Sequence, residues 1–264
     1  MSFALFQSYP IAYTSYGAGK NTIVLLHGFC EHQFMWVDLI QHFQDEARIL
    51  TIDLPGFGQS AFIPDAQIET YADAVKAVLD HEQIVTCIMA GHSMGGYVAL
   101  AFAERYPEVL SGLGLLHSHP FADDEIKKQY RTKAIAMVSE YGSERYIIEL
   151  FNGLFTETYK QQHPGLVIDF MQQCMQTNTQ SVIQALGAMR ERPDRSSVLQ
   201  KINALVFFII GASDTTITYD TGLAMSLLPQ RTQLELMNHN GHMGIIEDPE
   251  FVALAIKEYL QMVK

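Results

Sequence analysis

Ser93 has the surroundings of a reactive serine. It lies in the stretch GHSMGG, residues 91–96, after an apolar run and before a helical pattern. Small residues on both sides allow the sharp, strained strand-to-helix turn that exposes a nucleophile. The following helix would direct its free N–H groups towards Ser93 and favour negative charge there. We therefore predict covalent catalysis at Ser93. A simple tight turn is the alternative, since glycine and serine are common in turns.

Two further residues supply the groups that a serine nucleophile needs, a base and a carboxylate that orients the base. Asp214 follows an apolar run in the stretch IIGASDTT. His242 lies in the stretch NHNGHMG, after the next apolar run. Serine, aspartate, histidine is one of the chain orders in which such triads occur. We therefore predict that Ser93, His242 and Asp214 are the nucleophile, the base and the acid.

Several other polar residues compete for these roles. Asp53 precedes the turn sequence PGFG and is expected to bond backbone groups there. His239 is flanked by two asparagines, which favour a turn, and Asp220 lies further beyond its strand than the predicted acid. The stretch HSHP, residues 117–120, contains two histidines but no carboxylate or cysteine at a metal-ligand spacing. We therefore predict no metal site.

Short apolar runs alternate with helical patterns along the chain. The strand candidates are residues 22–28, 47–54, 84–91, 112–118, 204–211 and 232–237. This alternation predicts an α/β fold with a mostly parallel, doubly wound sheet. The carboxyl ends of parallel strands lie along one edge of a sheet, so Ser93, Asp214 and His242 would converge there. Asp248 and Pro249 predict the start of the last helix.

Residues 119–199 differ from the rest of the chain, because they read as helix throughout. Gly142, Pro164-Gly165 and Pro193 divide them into four or five short helices. We predict that they form a helical lid inserted into a core made of residues 1–118 and 200–264. The alternative is that these helices are part of the core.

The composition excludes several classes of protein. There are 17 Lys and Arg against 29 Asp and Glu, a net charge of −12, and no basic run. We therefore expect neither a nucleic-acid partner nor an anionic membrane surface. Three widely spaced cysteines predict no disulfide framework. The first residues lack the features of a signal peptide, and no apolar run is long enough to span a membrane. The expected location is cytoplasmic.

Five motifs together resemble one known family over essentially the full length. They are HGF at 27–29, DLPGFGQS at 53–60, GHSMGG at 91–96, GASD at 211–214 and GH at 241–242. This pattern resembles the α/β-hydrolase superfamily, and in particular serine-nucleophile, esterase-like members with a helical lid. The resemblance implies an oxyanion hole made by the backbone N–H groups of Phe29 and Met94. It also implies that no metal or organic cofactor is required.

The reaction that these features favour is hydrolysis of a small-molecule carboxylic ester through an acyl-enzyme on Ser93. Other reactions on the same triad are lactone, thioester, amide or carbon–carbon bond cleavage, perhydrolysis and a lyase step of menaquinone synthesis. A noncatalytic binding protein is a further alternative. We expect a monomer or a homodimer.

The sequence says less about how a substrate is held. His92, Glu31 and His32 are candidate substrate contacts, with packing under the turn or a solvated loop as alternatives. Methionine and aromatic residues between 119 and 199 favour an apolar acyl or alkyl group, although lid–core packing also explains them. Arg190 and Arg192 flank Glu191, which predicts ion pairs at the surface.

Overall fold

One eight-stranded sheet forms the centre of the molecule. The structure, a computed structural model, describes residues 1–263. The strands are β1 Ser2–Phe6, β2 Tyr9–Tyr16, β3 Thr22–Leu26, β4 Arg48–Ile52, β5 Cys87–His92, β6 Leu110–Leu116, β7 Leu205–Gly211 and β8 Thr232–Met237. Their order across the sheet is β1-β2-β4-β3-β5-β6-β7-β8. Strands β3 to β8 are parallel to one another, which confirms the predicted α/β class.

The first two strands were not among the predicted ones. They form an antiparallel hairpin in which Ser2 lies opposite Tyr13, and β2 then pairs with the edge of β4, where Tyr13 lies opposite Ile52. Only Ala4 of β1 is buried, so its sequence lacks the continuous apolar run that marks an interior strand. The position of β2 in the sheet is therefore determined by the edge of β4 that β3 leaves unpaired, and not by a strong pattern in its own sequence.

Helices occupy the connections between the parallel strands, and two more follow β8. They are α1 Val37–Gln41, α2 Ile68–His81, α3 Met94–Arg105, α4 Glu125–Tyr141, α5 Glu144–Leu154, α6 Glu157–Gln162, α7 Pro164–Cys174, α8 Thr179–Glu191, α9 Ser196–Lys201, α10 Tyr219–Ser226, α11 Gly244–Glu247 and α12 Pro249–Met262. As predicted, Asp248 caps α12, and its side chain accepts a hydrogen bond from the Phe251 N–H. None of the helices within residues 1–263 is long and apolar enough to cross a membrane.

Helices α4 to α9 lie between β6 and β7, with no strand among residues 117–204, all of which the structure describes. There are six of them rather than the predicted four or five. Gly142 ends α4 with a φ of 82°, and Pro164 is the first residue of α7. Helix α4 packs against α8. The last of the six, α9, extends to Lys201, beyond the predicted lid boundary at 199.

The middle of the sheet is the buried centre of the core. Every residue of β5 and β7 is buried. A close-packed interior of this kind fixes the backbone of these strands. The segments that follow β5, β7 and β8 at the carboxyl edge carry Ser93, Asp214 and His242 respectively. The packed sheet therefore holds the backbone next to Ser93, Asp214 and His242 in fixed positions.

Candidate active site

Ser93 lies in a strained turn between β5 and α3, with φ of 49° and ψ of −114°. The left-handed φ is costly for a residue with a side chain, and close packing holds it in place. A Cβ at Gly91 would lie 2.2 Å from the Gly95 backbone, and a Cβ at Gly95 would lie 2.2 Å from the Leu26 carbonyl oxygen. These glycines are therefore required by close backbone contacts around Ser93.

The three predicted residues form one continuous chain of hydrogen bonds. His242 Nε2 lies 2.9 Å from Ser93 Oγ, and His242 Nδ1 lies 2.8 Å from Asp214 Oδ2. The backbone N–H groups of Thr216 and Ile217 donate to the other carboxylate oxygen, Asp214 Oδ1, at 2.8 and 2.9 Å. The carboxylate is thus oriented by the loop after β7, and it in turn orients the imidazole. This is the geometry of a nucleophile, a base and an orienting acid.

A second imidazole faces the same carboxylate. His117 is buried, and its Nδ1 lies 3.4 Å from Asp214 Oδ2. Burial lowers the pKa of His117 to about 4 despite the nearby carboxylate, so its ring is neutral near pH 7. Burial also opposes ionisation of Asp214, but the imidazoles of His242 and His117 hold the pKa of its carboxyl well below the usual range. Asp214 is therefore an anion wherever the protein is folded near neutral pH.

His117, Asp214 and His242 are also the one group among residues 1–263 whose side chains could hold a metal ion, with ligand atoms within 4.8 Å of one another. Asp214 and His242 are already hydrogen-bonded to each other and, through the imidazole, to Ser93. The same contacts are those that an acid–base pair needs, so the cluster is explained without a metal.

The two predicted oxyanion donors lie where the neighbouring elements leave N–H groups free. Met94 is the first residue of α3, a position whose N–H has no partner within the helix. The Phe29 N–H donates to no group among the described residues. Cys30 follows with a φ of 63°, which turns the chain sharply after β3. Both predicted donors thus lie in tight turns at the carboxyl edge, Phe29 after β3 and Met94 after β5.

Glu31 and His92 form a buried pair beneath this edge. They are 1% and 0% exposed, so Glu31 does not lie in a solvated loop and His92 packs under the turn of Ser93. His92 Nδ1 lies 3.0 Å from Glu31 Oε2, and His92 Nε2 lies 3.0 Å from the His242 carbonyl oxygen. The same Glu31 oxygen accepts the N–H of Gly28. The pair therefore joins the loop of Phe29 to the backbone of His242.

The pair is ionic. Both nitrogens of His92 face oxygen acceptors, so both carry a proton. Burial opposes the charge on each group, yet Glu31 raises the pKa of His92 and His92 lowers the pKa of Glu31. His32, the third candidate contact, is half-buried and packs against Phe34, with ring centroids 4.3 Å apart and the rings tilted by 48°. It lines a separate polar cavity of about 450 Å³.

Replacing His92 is expected to give a pH-dependent loss of stability. The pair contributes fully between the unfolded pKa values of glutamate, about 4.3, and histidine, about 6.5. The stabilisation by the pair decreases at pH values below this window, as Glu31 protonates. It also decreases at pH values above the window, as His92 loses its proton. The melting temperature of His92→Gln should therefore differ most from the parent at pH 5–6 and less at pH 9.

The control for this prediction is His42→Gln, which removes an exposed histidine. Its melting temperature should follow that of the parent at every pH. A difference between His92→Gln and the parent that stays constant from pH 5 to 9 would mean that the buried pair is not ionic.

Glu247 connects the helical segment to the loop of the base. Its carboxylate accepts the N–H of Thr156 at 2.6 Å and the N–H of Gly241 at 2.9 Å. Next to it, the Tyr159 hydroxyl donates to the Ile246 carbonyl oxygen at 3.2 Å. The Glu247 carboxylate therefore bridges the residue before His242 and the segment between α5 and α6.

The three residues that competed for catalytic roles in the sequence either have a structural role or lie outside the triad. Asp53 accepts hydrogen bonds from the N–H groups of Gln33 and Gln59 and from the Gln33 side chain, as expected for a turn residue. Asp220 is in the first turn of α10. His239 lines a separate cavity of about 340 Å³. None of these three is hydrogen-bonded to Ser93 or His242 among the described residues.

The chain is similar to proteins of known sequence and structure. A model of the alpha/beta hydrolase fold matches residues 21–249. A thermophilic esterase from Thermogutta terrifontis, solved with malate bound, is 30% identical with a TM-score of 0.93, over 97% of this chain and 94% of the esterase. The 2-succinyl-6-hydroxy-2,4-cyclohexadiene-1-carboxylate synthase of Enterobacter sp. (strain 638) is 26% identical over 92% of this chain and 93% of the synthase.

A third relative is longer than this chain. The dihydrolipoyllysine-residue acetyltransferase component of the acetoin cleaving system of Pseudomonas putida is 29% identical over 76% of this chain, and the match spans 54% of that protein. The family match covers most of the chain, and the similar structure covers nearly all of it. The chain therefore belongs to the alpha/beta hydrolase fold family, as an enzyme of the hydrolase class.

Proposed function

We propose that this protein hydrolyses carboxylic esters of small molecules through an acyl-enzyme on Ser93. One observation carries the proposal, namely the continuous hydrogen-bond chain from Ser93 through His242 to Asp214 at a strained turn. Such a chain lets an alcohol act as a nucleophile at neutral pH. The similarity to an esterase over nearly the full length supports the same reaction.

In the acylation step, His242 Nε2 takes the proton from Ser93 Oγ as the oxygen attacks the ester carbonyl carbon. The carbonyl oxygen becomes an oxyanion, which the N–H groups of Phe29 and Met94 stabilise. Each such donor is worth about 3–4 kcal/mol in the transition state. The intermediate then collapses, the bond to the alcohol oxygen breaks, and His242 gives its proton to the departing alcohol.

Deacylation repeats these transfers with water. His242 takes a proton from the water as its oxygen attacks the acyl carbon, and the bond to Ser93 Oγ breaks. The proton returns to Ser93, and the carboxylic acid leaves. Asp214 stays ionised throughout and holds the imidazole in the tautomer that accepts at Nε2. We propose that helices α4 to α9 cover this site as a lid.

A second candidate is carbon–carbon or ring chemistry on the same triad. The similarity to the Enterobacter synthase over 92% of this chain favours it. The two candidates differ in the covalent species that forms with an ester. A mass increase on Ser93 equal to the acyl group, after mixing with a slowly hydrolysed ester, supports the acyl-enzyme. An unmodified Ser93 during ester turnover would count against it.

The proposal is tested with p-nitrophenyl esters from acetate to decanoate. We expect release of p-nitrophenol that follows saturation kinetics, with an optimum acyl length that reports the size of the pocket. Labelling by a fluorophosphonate probe should stop turnover, since labelling needs an activated serine. The lack of both turnover and labelling would contradict the proposal and favour a noncatalytic binding protein.

A further inference from the structure

A cavity of about 450 Å³ lies between the helical segment and the carboxyl edge of the sheet. Ser93, Asp214 and His242 do not line it, but three of its lining residues adjoin residues of the proposed site. Tyr97 follows Ser93 by four residues on α3, about 6 Å along the helix axis. The Thr216 N–H donates to Asp214, and the ring of Tyr146 lies 6.3 Å from that of Phe29. Tyr97, Tyr146 and Thr216 all line the cavity.

The lining of this cavity is positively charged. Lys127 and Arg131 contribute to it, and no carboxylate does. This contrasts with the chain as a whole, whose net charge is −12. Within residues 1–263, the Lys127 ammonium group has no ion-pair partner. An unpaired cation beside a catalytic centre attracts an anionic group of a substrate.

Arg131 leaves a surplus of charge even though it is paired. Its guanidinium binds the buried carboxylate of Asp123, which also accepts from Arg192 at 2.8 Å. Two cations therefore share one anion. Arg192 is 4% exposed, so the expected surface ion pair is wrong for it, whereas Arg190 does pair with Glu191 at 2.7 Å. Arg192 is buried against Asp123 and the ring of Tyr97.

Tyr97 presents a free hydroxyl donor. The Phe121 N–H donates to His119 Nδ1 at 3.1 Å, so the neutral ring carries its proton on Nε2. Burial and the neighbouring cations, Arg192 first among them, lower the pKa of His119 to about 3. His119 Nε2 therefore donates to the Tyr97 oxygen at 3.3 Å, and the hydroxyl proton of Tyr97 is left without an acceptor among the described residues.

The ring of Tyr97 is also fixed in place. The Arg192 guanidinium carbon lies 3.9 Å from the ring centroid, a cation–π contact, and only 6% of Tyr97 is exposed. An oriented donor next to two cations is a specific arrangement for binding an anion rather than a feature of general surface charge.

We propose that this cavity is a subsite for a carboxylate carried by the ester substrate. The Tyr97 hydroxyl donates to one carboxylate oxygen, and the Lys127 ammonium group neutralises the charge. The inference rests on the proposed ester hydrolysis and narrows its substrate class to esters with a second, ionised acid group.

The test compares esters that differ only in charge. The first pair is p-nitrophenyl pentanoate and mono-p-nitrophenyl glutarate, whose acyl groups both have five carbons. The second pair is phenyl acetate and 3-carboxyphenyl acetate, which place the charge on the alcohol half. We expect kcat/KM to favour the charged ester by about tenfold in one of the two pairs. The rate with Ser93→Ala is subtracted as background hydrolysis.

Two variants locate the subsite. Tyr97→Phe and Lys127→Ala should each lower the ratio of charged to neutral kcat/KM by about fivefold, through KM. Lys128→Ala is the matched control, because it removes the same charge one residue away. Lys128 pairs with Glu125 at 3.5 Å and does not line the cavity. The ratio of charged to neutral kcat/KM for Lys128→Ala should equal that of the parent.

Equal rates within both pairs, or the same fall in ratio for Lys128→Ala as for Lys127→Ala, would overturn the subsite and leave ester hydrolysis intact. If no ester is turned over, the proposed function fails, and glutarate binding to the Ser93→Ala protein is measured by calorimetry instead. Binding that Lys127→Ala weakens sustains the subsite, and undetectable binding overturns it.

Discussion

Ser93→Ala is expected to reduce ester turnover to the background of an enzyme without a nucleophile, a fall in kcat of about 10⁶-fold. The variant loses only the Oγ atom that lies 2.9 Å from His242. The Cβ atom remains, so the backbone at φ 49° is neither relieved nor further strained. We therefore expect an unchanged melting temperature. The measurement is p-nitrophenyl ester hydrolysis together with thermal denaturation of the purified proteins.

Ser226→Ala is the matched control. It removes a buried serine hydroxyl that donates to the Leu223 carbonyl oxygen within α10, away from the triad. Its turnover should equal that of the parent. If Ser93→Ala retains the parental rate while folded, the nucleophile is another residue and the proposed mechanism is wrong.

The second large effect is expected for Asp214→Asn, with a fall in kcat of about 10⁴-fold. The amide oxygen can still accept from Thr216 and Ile217, which now bond Asp214 Oδ1. The amide nitrogen would then face His242 Nδ1 and donate to it. The imidazole proton would move to Nε2, which could no longer accept the proton of Ser93.

Asp220→Asn tests whether the acid has been assigned to the correct residue. Asp220 lies in the first turn of α10, and its replacement should leave kcat within about twofold of the parent, as for a surface change. The assignment fails if the two variants exchange these effects.

The triad was predictable because its signals are local. The apolar runs before Ser93 and Asp214 are continuous, since β5 and β7 are buried on both faces. The run before His242 contains polar residues, because β8 is the edge strand and is only partly buried. The parallel arrangement then brings the three loops to one edge without any knowledge of side-chain contacts. The motif at Ser93 could also be recognised without knowing the register in which the strands pair, because its glycines are close to Ser93 in the sequence.

The Glu31–His92 pair could not be predicted in the same way. The two residues are far apart in the chain and meet because β3 and β5 pair with Leu26 opposite Gly91. A shift of the strands by one residue would separate them. Their sequence neighbours indicate only a loop and a turn. The buried Arg192 was missed for the same reason, since its partner Asp123 lies at the other end of the helical segment.

The two hydrogen bonds of Glu247 have a consequence for how the substrate range of this enzyme can change. They fix the start of α6 to the loop of His242, while α4 and α5 carry no such bond to that loop among the described residues. Substitutions in residues 125–154 can therefore reshape the cavity without displacing the base. Substitution of Glu247 would remove both bonds at once, because its carboxylate accepts both N–H groups. Selectivity and turnover are thus separable traits, and α4 and α5 are where directed evolution should introduce diversity.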